Sequence, residues 1–255
     1  MKVRLVPSAA IGADDRVQYL ISIMINETIS IDAGCIGLLA LADQHPIEHV
    51  FLTHSHLDHL ASLPIFLDNV FQPVPECVNV YGSAETLRCI QQNFFNDAVW
   101  PDFVRLSTSG WPFLKLIELK NGVPVTVAGV EITPVLLDHV VPTFAFVVDD
   151  GKAAVAWISD TAPSDAIWKF CAAQPRLKLV MLEASFPNHM HALAKVSKHL
   201  TPSSFRTEYA KLGRNVPVMA VHIKPAFYDT VVSELTALNI PQLFIGRPGV
   251  THEYL

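Results

Sequence analysis

Short apolar runs alternate with turn residues along most of the chain, and this rhythm predicts the elements. Residues 17–25 and 28–31 predict successive strands split by Asn26-Glu27, the second ending at Asp32-Ala33-Gly34. Leu and Ala in residues 35–42 predict a helix, and β-branched and aromatic residues at 49–53 predict a strand. A helix is expected from Leu60, with Pro64 in its first turn, the place where proline is tolerated. A strand at 78–81 and a helix at 83–91 capped by Ser83 complete the first half. Strands follow at 123–127, 130–136, 144–148 and 153–158, punctuated by Gly129 and by the hairpin-like Asp149-Asp150-Gly151. Then come a helix at 164–173, a strand at 178–182, a helix at 202–212 capped by Thr201, and strands at 216–221 and 242–245 around a further helix. There is no linker, repeat or low-complexity tract. Two groups of strands, each followed by helices, predict one domain over residues 1–255, built of two sheets sandwiched between helices.

Composition narrows the function classes. The chain is 51% hydrophobic and 16% charged, which excludes disorder, and its formal net charge is −6, which disfavours a general nucleic-acid binder. The longest stretch without Asp, Glu, Lys or Arg is 12 residues, 235–246, too short for a membrane span. Cys35, Cys77, Cys89 and Cys171 lack metal or redox spacing and read as reduced thiols. The first apolar run is too short for a secretion signal; Ser8-Ala9-Ala10 imitates a cleavage site, but a first strand and turn fits better. The cytoplasm is therefore the expected compartment.

Chemistry concentrates in His54-Ser55-His56-Leu57-Asp58-His59, directly after a predicted strand. Histidines at i and i+2 of an extended segment point the same way, so His54 and His56 can reach one ion. Asp58 and His59, past the turn, can face a second. One motif cannot complete two coordination spheres, and His139, Asp160 and His222 each stand where another apolar strand ends. Asp32 ends the early strand in the same way and can orient a ligand histidine. Imidazole and carboxylate donors together suit Zn2+, with Mn2+ or Fe as other occupants.

The motif His54–His59, Asp32-x-Gly34, His139, Ser159-Asp160-Thr161 and His222 occur in the order found in the metallo-β-lactamase superfamily. Within it the chain resembles the class II 3′,5′-cyclic nucleotide phosphodiesterases. The narrower matches are residues 95–103, Glu183-Ala184-Ser185-Phe186-Pro187-Asn188, His199-Leu200-Thr201-Pro202 and His222-Ile223-Lys224-Pro225. Pro64 and the Ile65-Phe66-Leu67-Asp68 run after it depart from the family's pattern. The resemblance implies an α+β fold, an αββα sandwich of two mixed sheets flanked by helices. It assigns His54, His56 and His139 to one divalent ion and Asp58, His59 and His222 to another, with Asp160 bridging. It implies that 3′,5′-cyclic nucleotides (cAMP or cGMP) are opened to 5′-nucleoside monophosphates by attack of a metal-bound hydroxide on phosphorus. His199 becomes the candidate general acid, kept protonated by Glu183.

For substrate binding, Phe94, Phe95, Trp100 and Phe103 surround Asn96, Asp97 and Asp102, so a nucleobase is expected on one of these rings and Asn96 or Asp97 is expected to read base or ribose. Lys224 is a candidate phosphate contact. His189 and His191 read as surface residues, and His45, His49 and His252 as ordinary ones. The rival enzyme is a tRNase Z-like RNA endonuclease, which needs a substrate-gripping arm and a positive surface. Only 20 residues separate His139 from Asp160, and the charge is negative. A lactamase or thioester hydrolase leaves the His199-Leu200-Thr201-Pro202 segment unexplained. A non-catalytic cyclic-nucleotide sensor would retain the same metal ligands. No stable nucleic-acid complex and no membrane partner are expected, and a homodimer is compatible with the sequence.

Overall fold

Side chains on a strand alternate between its two faces, so a run buried on both faces must lie between two layers. The computed structural model describes residues 1–8 and 13–255; Ala9 and Ala10, part of the imitated cleavage site, lie outside them. The first sheet holds β1 (Lys2–Leu5), β2 (Ile23–Ile25), β3 (Ile29–Ile31), β4 (His49–Phe51), β5 (Val78–Gly82) and β6 (Leu114–Glu118). The second holds β7 (Val125–Val127), β8 (Val130–Leu137), β9 (Thr143–Asp149), β10 (Ala154–Ile158), β11 (Leu177–Glu183), β12 (Val218–Val221) and β13 (Leu243–Ile245), in that spatial order. A last strand, β14 (Thr251–Glu253), returns to pair with β1 at the edge of the first sheet. Pairing is antiparallel from β14 to β3 and parallel from β3 to β6. It is antiparallel from β7 to β10 and parallel from β10 to β13. Both sheets are therefore mixed.

The alternation sorts side chains into three cores. Ile23, Ile25, Phe51, Val155, Trp157, Leu179 and Met181 face inward between the sheets. Their neighbours Ala156, Ile158, Val180 and Leu182 face outward, under α6 (Ala166–Ala172), α8 (Pro202–Ala210) and α9 (Tyr228–Ala237). Met24, Val50 and Leu52 face outward from the first sheet, under α3 (Leu63–Val70) and α4 (Ala84–Asn93). This is the helix–sheet–sheet–helix sandwich anticipated from the strand groups. The Ser83 hydroxyl accepts from the Thr86 amide, Thr201 and Ser204 form a capping box, and Pro64 sits in the first turn of α3.

Some expectations fail for tertiary reasons. Residues 17–22 are not a strand, because their backbone is used elsewhere: the Ile21 amide donates to the Asp58 carbonyl at 2.8 Å, and the Ser22 carbonyl accepts from Val6. Residues 35–42 are not one helix but a 3-10 turn, Ile36–Leu38, followed by α1 (Leu41–Gln44). Gly37 lies so close to the start of α3 that a Cβ there would stand 2.6 Å from the Ser62 carbonyl oxygen. β6, β14, α5 (Phe103–Leu106) and α7 (His191–Ser197) have no counterpart in the sequence reading; β14 is polar throughout and stands on its pairing with β1.

Candidate metal centre

The site forms where strands of like direction end. β8 runs with β10, because two antiparallel pairings separate them, and β10, β11 and β12 are parallel. His139, Asp160, Glu183 and His222 thus emerge together from the carboxyl ends of the second sheet. Asp32 and His54 leave β3 and β4 of the first sheet in the same way, and Asp58 and His59 lie on the single-turn α2 (Leu57–Leu60). Gly34 lets this turn in: a Cβ there would collide with the Asp58 carbonyl and the Ile21 backbone. The Ile21 amide then donates to the Asp58 carbonyl at 2.8 Å and the Ala33 amide to the His59 carbonyl at 2.7 Å, while the Gly34 amide donates to the Ile21 carbonyl at 2.9 Å.

Three overlapping sets of donor atoms result, each within 4.8 Å: His54, His56, His139 and Asp160; Asp58, His59 and His222; and Asp160, His199 and His222. Asp160 joins them, its Oδ2 lying 3.6 Å from Nε2 of both His54 and His59 and its Oδ1 3.5 Å from Nε2 of His222. All seven residues expected as ligands are brought together. His54 Nε2, His59 Nε2 and Asp160 Oδ1 are buried with no hydrogen-bond partner among the described residues. Orphaned donors and acceptors of this kind are costly in an apolar interior and fit a cation.

The outer nitrogens of four of these histidines are engaged. His59 Nδ1 donates to Asp32 Oδ2 at 2.7 Å, and His54 Nδ1 donates to the Thr53 hydroxyl at 3.0 Å, which itself donates to Asp32. His139 Nδ1 donates to the Lys198 carbonyl at 3.0 Å, and His222 Nδ1 to the Ser185 hydroxyl at 2.8 Å. His56 is turned the other way, with Nδ1 inward, 3.4 Å from His139 Nε2. Asp32, His222 and Lys198 adopt positive φ of 61°, 54° and 56°, a strained left-handed conformation for such residues.

Charge within the cluster is unevenly held. Burial and the neighbouring His59 keep the His54 imidazole well below its ordinary pKa, hence neutral. Burial opposes ionisation of Asp160, but His222, His59 and His54 outweigh it and hold the carboxyl well below the usual range. Burial likewise opposes charge on His59, and Asp32 and Asp160 on its two sides more than offset it.

His199 and Glu183 also meet at the cluster. Glu183 is fully buried; its Oε1 accepts from His199 Nδ1 at 2.9 Å and from the Thr161 amide, and its Oε2 accepts from the Ser185 hydroxyl and amide. His199 Nε2 then stands 4.0 Å from Asp160 Oδ2. Burial lowers the imidazole's pKa, but Glu183 raises it more, so the net direction is up. Lys224 Nζ reaches Asp58 Oδ2 at 3.4 Å.

The 94–103 segment is used differently. Phe95, Phe103 and Phe113 stack in the outer core of the first sheet, with Trp100 edge-on to Phe103. Asn96 holds a local turn through Gln92, Ala98 and Val99, and Asp97 pairs with Arg105. None of these residues is among the donors that converge on Asp160. Conversely, Thr53, Ser185 and the Lys198 carbonyl were not foreseen. Thr53 and Ser185 flank motif residues, whereas nothing local marks a carbonyl as a histidine's partner.

A model of the beta-lactamase superfamily domain matches residues 31–223. A probable 3′,5′-cyclic-nucleotide phosphodiesterase of Yersinia pestis is 28% identical over 207 residues, 71% of this chain and 58% of that protein. A 3′,5′-cyclic-nucleotide phosphodiesterase of Aliivibrio fischeri is 29% identical over 62% of this chain and 51% of its own. The chain thus spans little more than half the length of these relatives. Unliganded yeast PDE1 superposes with a TM-score of 0.79 at 17% identity, covering 98% of both chains, a likeness of fold.

Proposed function

The chain belongs to the beta-lactamase superfamily, and from that footing we propose that it opens 3′,5′-cyclic nucleotides to 5′-nucleoside monophosphates. The observation that carries the reading is His199: an imidazole held by a buried carboxylate, with its free nitrogen aimed at the carboxylate that joins two sets of metal-type donors. The names of the two bacterial relatives support the substrate class.

His54 Nε2, His56 Nδ1 and His139 Nε2 would hold one divalent ion, and Asp58, His59 Nε2 and His222 Nε2 a second, with Asp160 shared. The nitrogen and oxygen donors suit Zn2+, while Mn2+ and Fe remain compatible. Ions bound there supply Lewis-acid chemistry, lowering the pKa of water and offsetting the charge of a phosphodiester. Asp32, Thr53, Ser185 and the Lys198 carbonyl fix which nitrogen each histidine presents. His199 Nε2–H donates its proton to the departing 3′ oxygen, and Glu183 stabilises the imidazolium before transfer. Asp58 joins His222 and Lys224 at the second ion's position, where the Lys224 ammonium can meet a phosphate oxygen. The reading treats residues 1–255 as one cytoplasmic hydrolase domain without a lasting nucleic-acid complex.

The test is turnover by metal-loaded protein of cAMP, cGMP, a linear phosphodiester and precursor tRNA, with products separated. The expected products are 5′-monophosphates from a cyclic nucleotide. Cleavage of the tRNA with neither ring opened would replace the reading by an RNA endonuclease, and binding without turnover would replace it by a sensor.

A further inference from the structure

The aromatic residues of the 94–103 segment are committed to the outer core, yet another pair of rings stands at the cluster. Phe186 follows Glu183 and Ser185 on the same loop, and its ring lies 5.7 Å from the His199 imidazole, tilted by 67°. Its other aromatic neighbour is Phe227, at 6.1 Å. Both rings are half-buried, and Phe186 belongs to none of the three cores. Phe227 reaches this place through the short turn Pro225–Phe227 that begins after Lys224, whose amide donates to the Ser185 carbonyl at 3.2 Å. An aromatic surface therefore starts beside the acid and is tied by backbone to the lysine near Asp58.

A proton donor to the 3′ oxygen must touch the ribose edge, and the nucleobase is attached to that same ribose. A ring in contact with His199 is thus within one sugar's length of the base. We infer that Phe186, backed by Phe227, is the surface on which the nucleobase of the substrate stacks, an inference that rests on the proposed cyclic-nucleotide activity. Stacking on an aromatic face tolerates every base, so this surface favours nucleotides over other phosphodiesters without choosing adenine from guanine.

The experiment compares wild type with Phe186→Leu, which keeps apolar bulk and loses the ring, Phe186→Tyr, which keeps the ring, and Phe227→Ala, each checked by thermal melting. Kinetics are read on 3′,5′-cAMP. Calorimetry compares binding of AMP with that of ribose 5-phosphate and needs no turnover. Phe186→Leu is expected to raise KM for cAMP roughly tenfold and abolish the preference for AMP over ribose 5-phosphate. Phe186→Tyr should retain both the wild-type KM and that preference. The inference is overturned if wild type binds AMP and ribose 5-phosphate equally, or if Phe186→Leu weakens both alike. Loss of cAMP turnover in the wild type itself would instead refute the proposed activity, and the calorimetric comparison would still decide the fate of the stacking surface.

Discussion

An imidazole offers two nitrogens, and which one faces a metal is decided by what holds the other. In this chain Asp32, Thr53, the Lys198 carbonyl and Ser185 hold Nδ1 of His59, His54, His139 and His222, leaving each Nε2 directed at Asp160 or its neighbours. Glu183 links two functions: it accepts from His199 directly and from the hydroxyl of Ser185 that fixes His222. If His199 protonates the leaving oxygen, its importance depends on how poor the leaving group is. His199→Ala should then lower kcat on 3′,5′-cAMP by about 10²–10⁴-fold while leaving 4-nitrophenyl esters within a few-fold. Equal losses on both substrates would make His199 a structural or ligand residue. The ligand-type residues of the H-x-H-x-D-H run could be read locally, since their spacing on one extended segment and one turn already converges. Of their supporting partners, Asp32 could be named from its strand end, but the Lys198 carbonyl could not, because His139 and Lys198 meet only through the fold.

At the scale of elements, the single turn α2 depends on a neighbour with no side chain. Gly34 admits the Asp58 carbonyl and the Ile21 backbone into the space a Cβ would fill, and two backbone hydrogen bonds, at 2.7 and 2.8 Å, hold the turn there. Gly34→Ala must push backbone rather than a flexible side chain. It should cost about 1–3 kcal/mol of stability and weaken zinc binding, because Asp58 and His59 shift with the turn. Urea unfolding and competitive zinc titration check this; a variant with wild-type zinc affinity would show that the turn does not depend on the close approach. The same competition for backbone explains the strand wrongly expected at 17–22: its residues have strand-like composition, but the Ile21 amide donates to the Asp58 carbonyl, the Ile21 carbonyl accepts from Gly34 and the Ser22 carbonyl from Val6. Where pairing is uncontested, as in β8 to β12, apolar alternation predicted the strands to within a residue or two.

Across the whole molecule, the two outer cores each seal a thiol. Burial pushes Cys35, beneath α3, up to about 11, and Cys171, on α6, up to about 12. A group whose pKa is higher in the folded than in the unfolded chain stabilises fully below its unfolded value, and that contribution is lost as pH rises toward the folded one. The unfolding free energy from urea titration should therefore fall between pH 9 and pH 11, by roughly 1.4 kcal/mol per pH unit for each thiol while only the unfolded chain ionises. A Cys35→Ala, Cys171→Ala double variant should show a shallower fall, and identical slopes would mean that the thiols ionise freely in the folded chain. The sequence alone determined the layers and the ends at which chemistry collects, because period-two burial and strand termini are local properties of the chain. Tertiary structure decided which nitrogen each histidine presents, that one carboxylate joins two donor sets, and that Phe186 rather than the 94–103 rings stands beside His199. Apart from Thr53 beside His54, those outcomes depend on contacts between residues from 13 to more than a hundred positions apart, which come together only when two sheets bring their carboxyl ends to one edge.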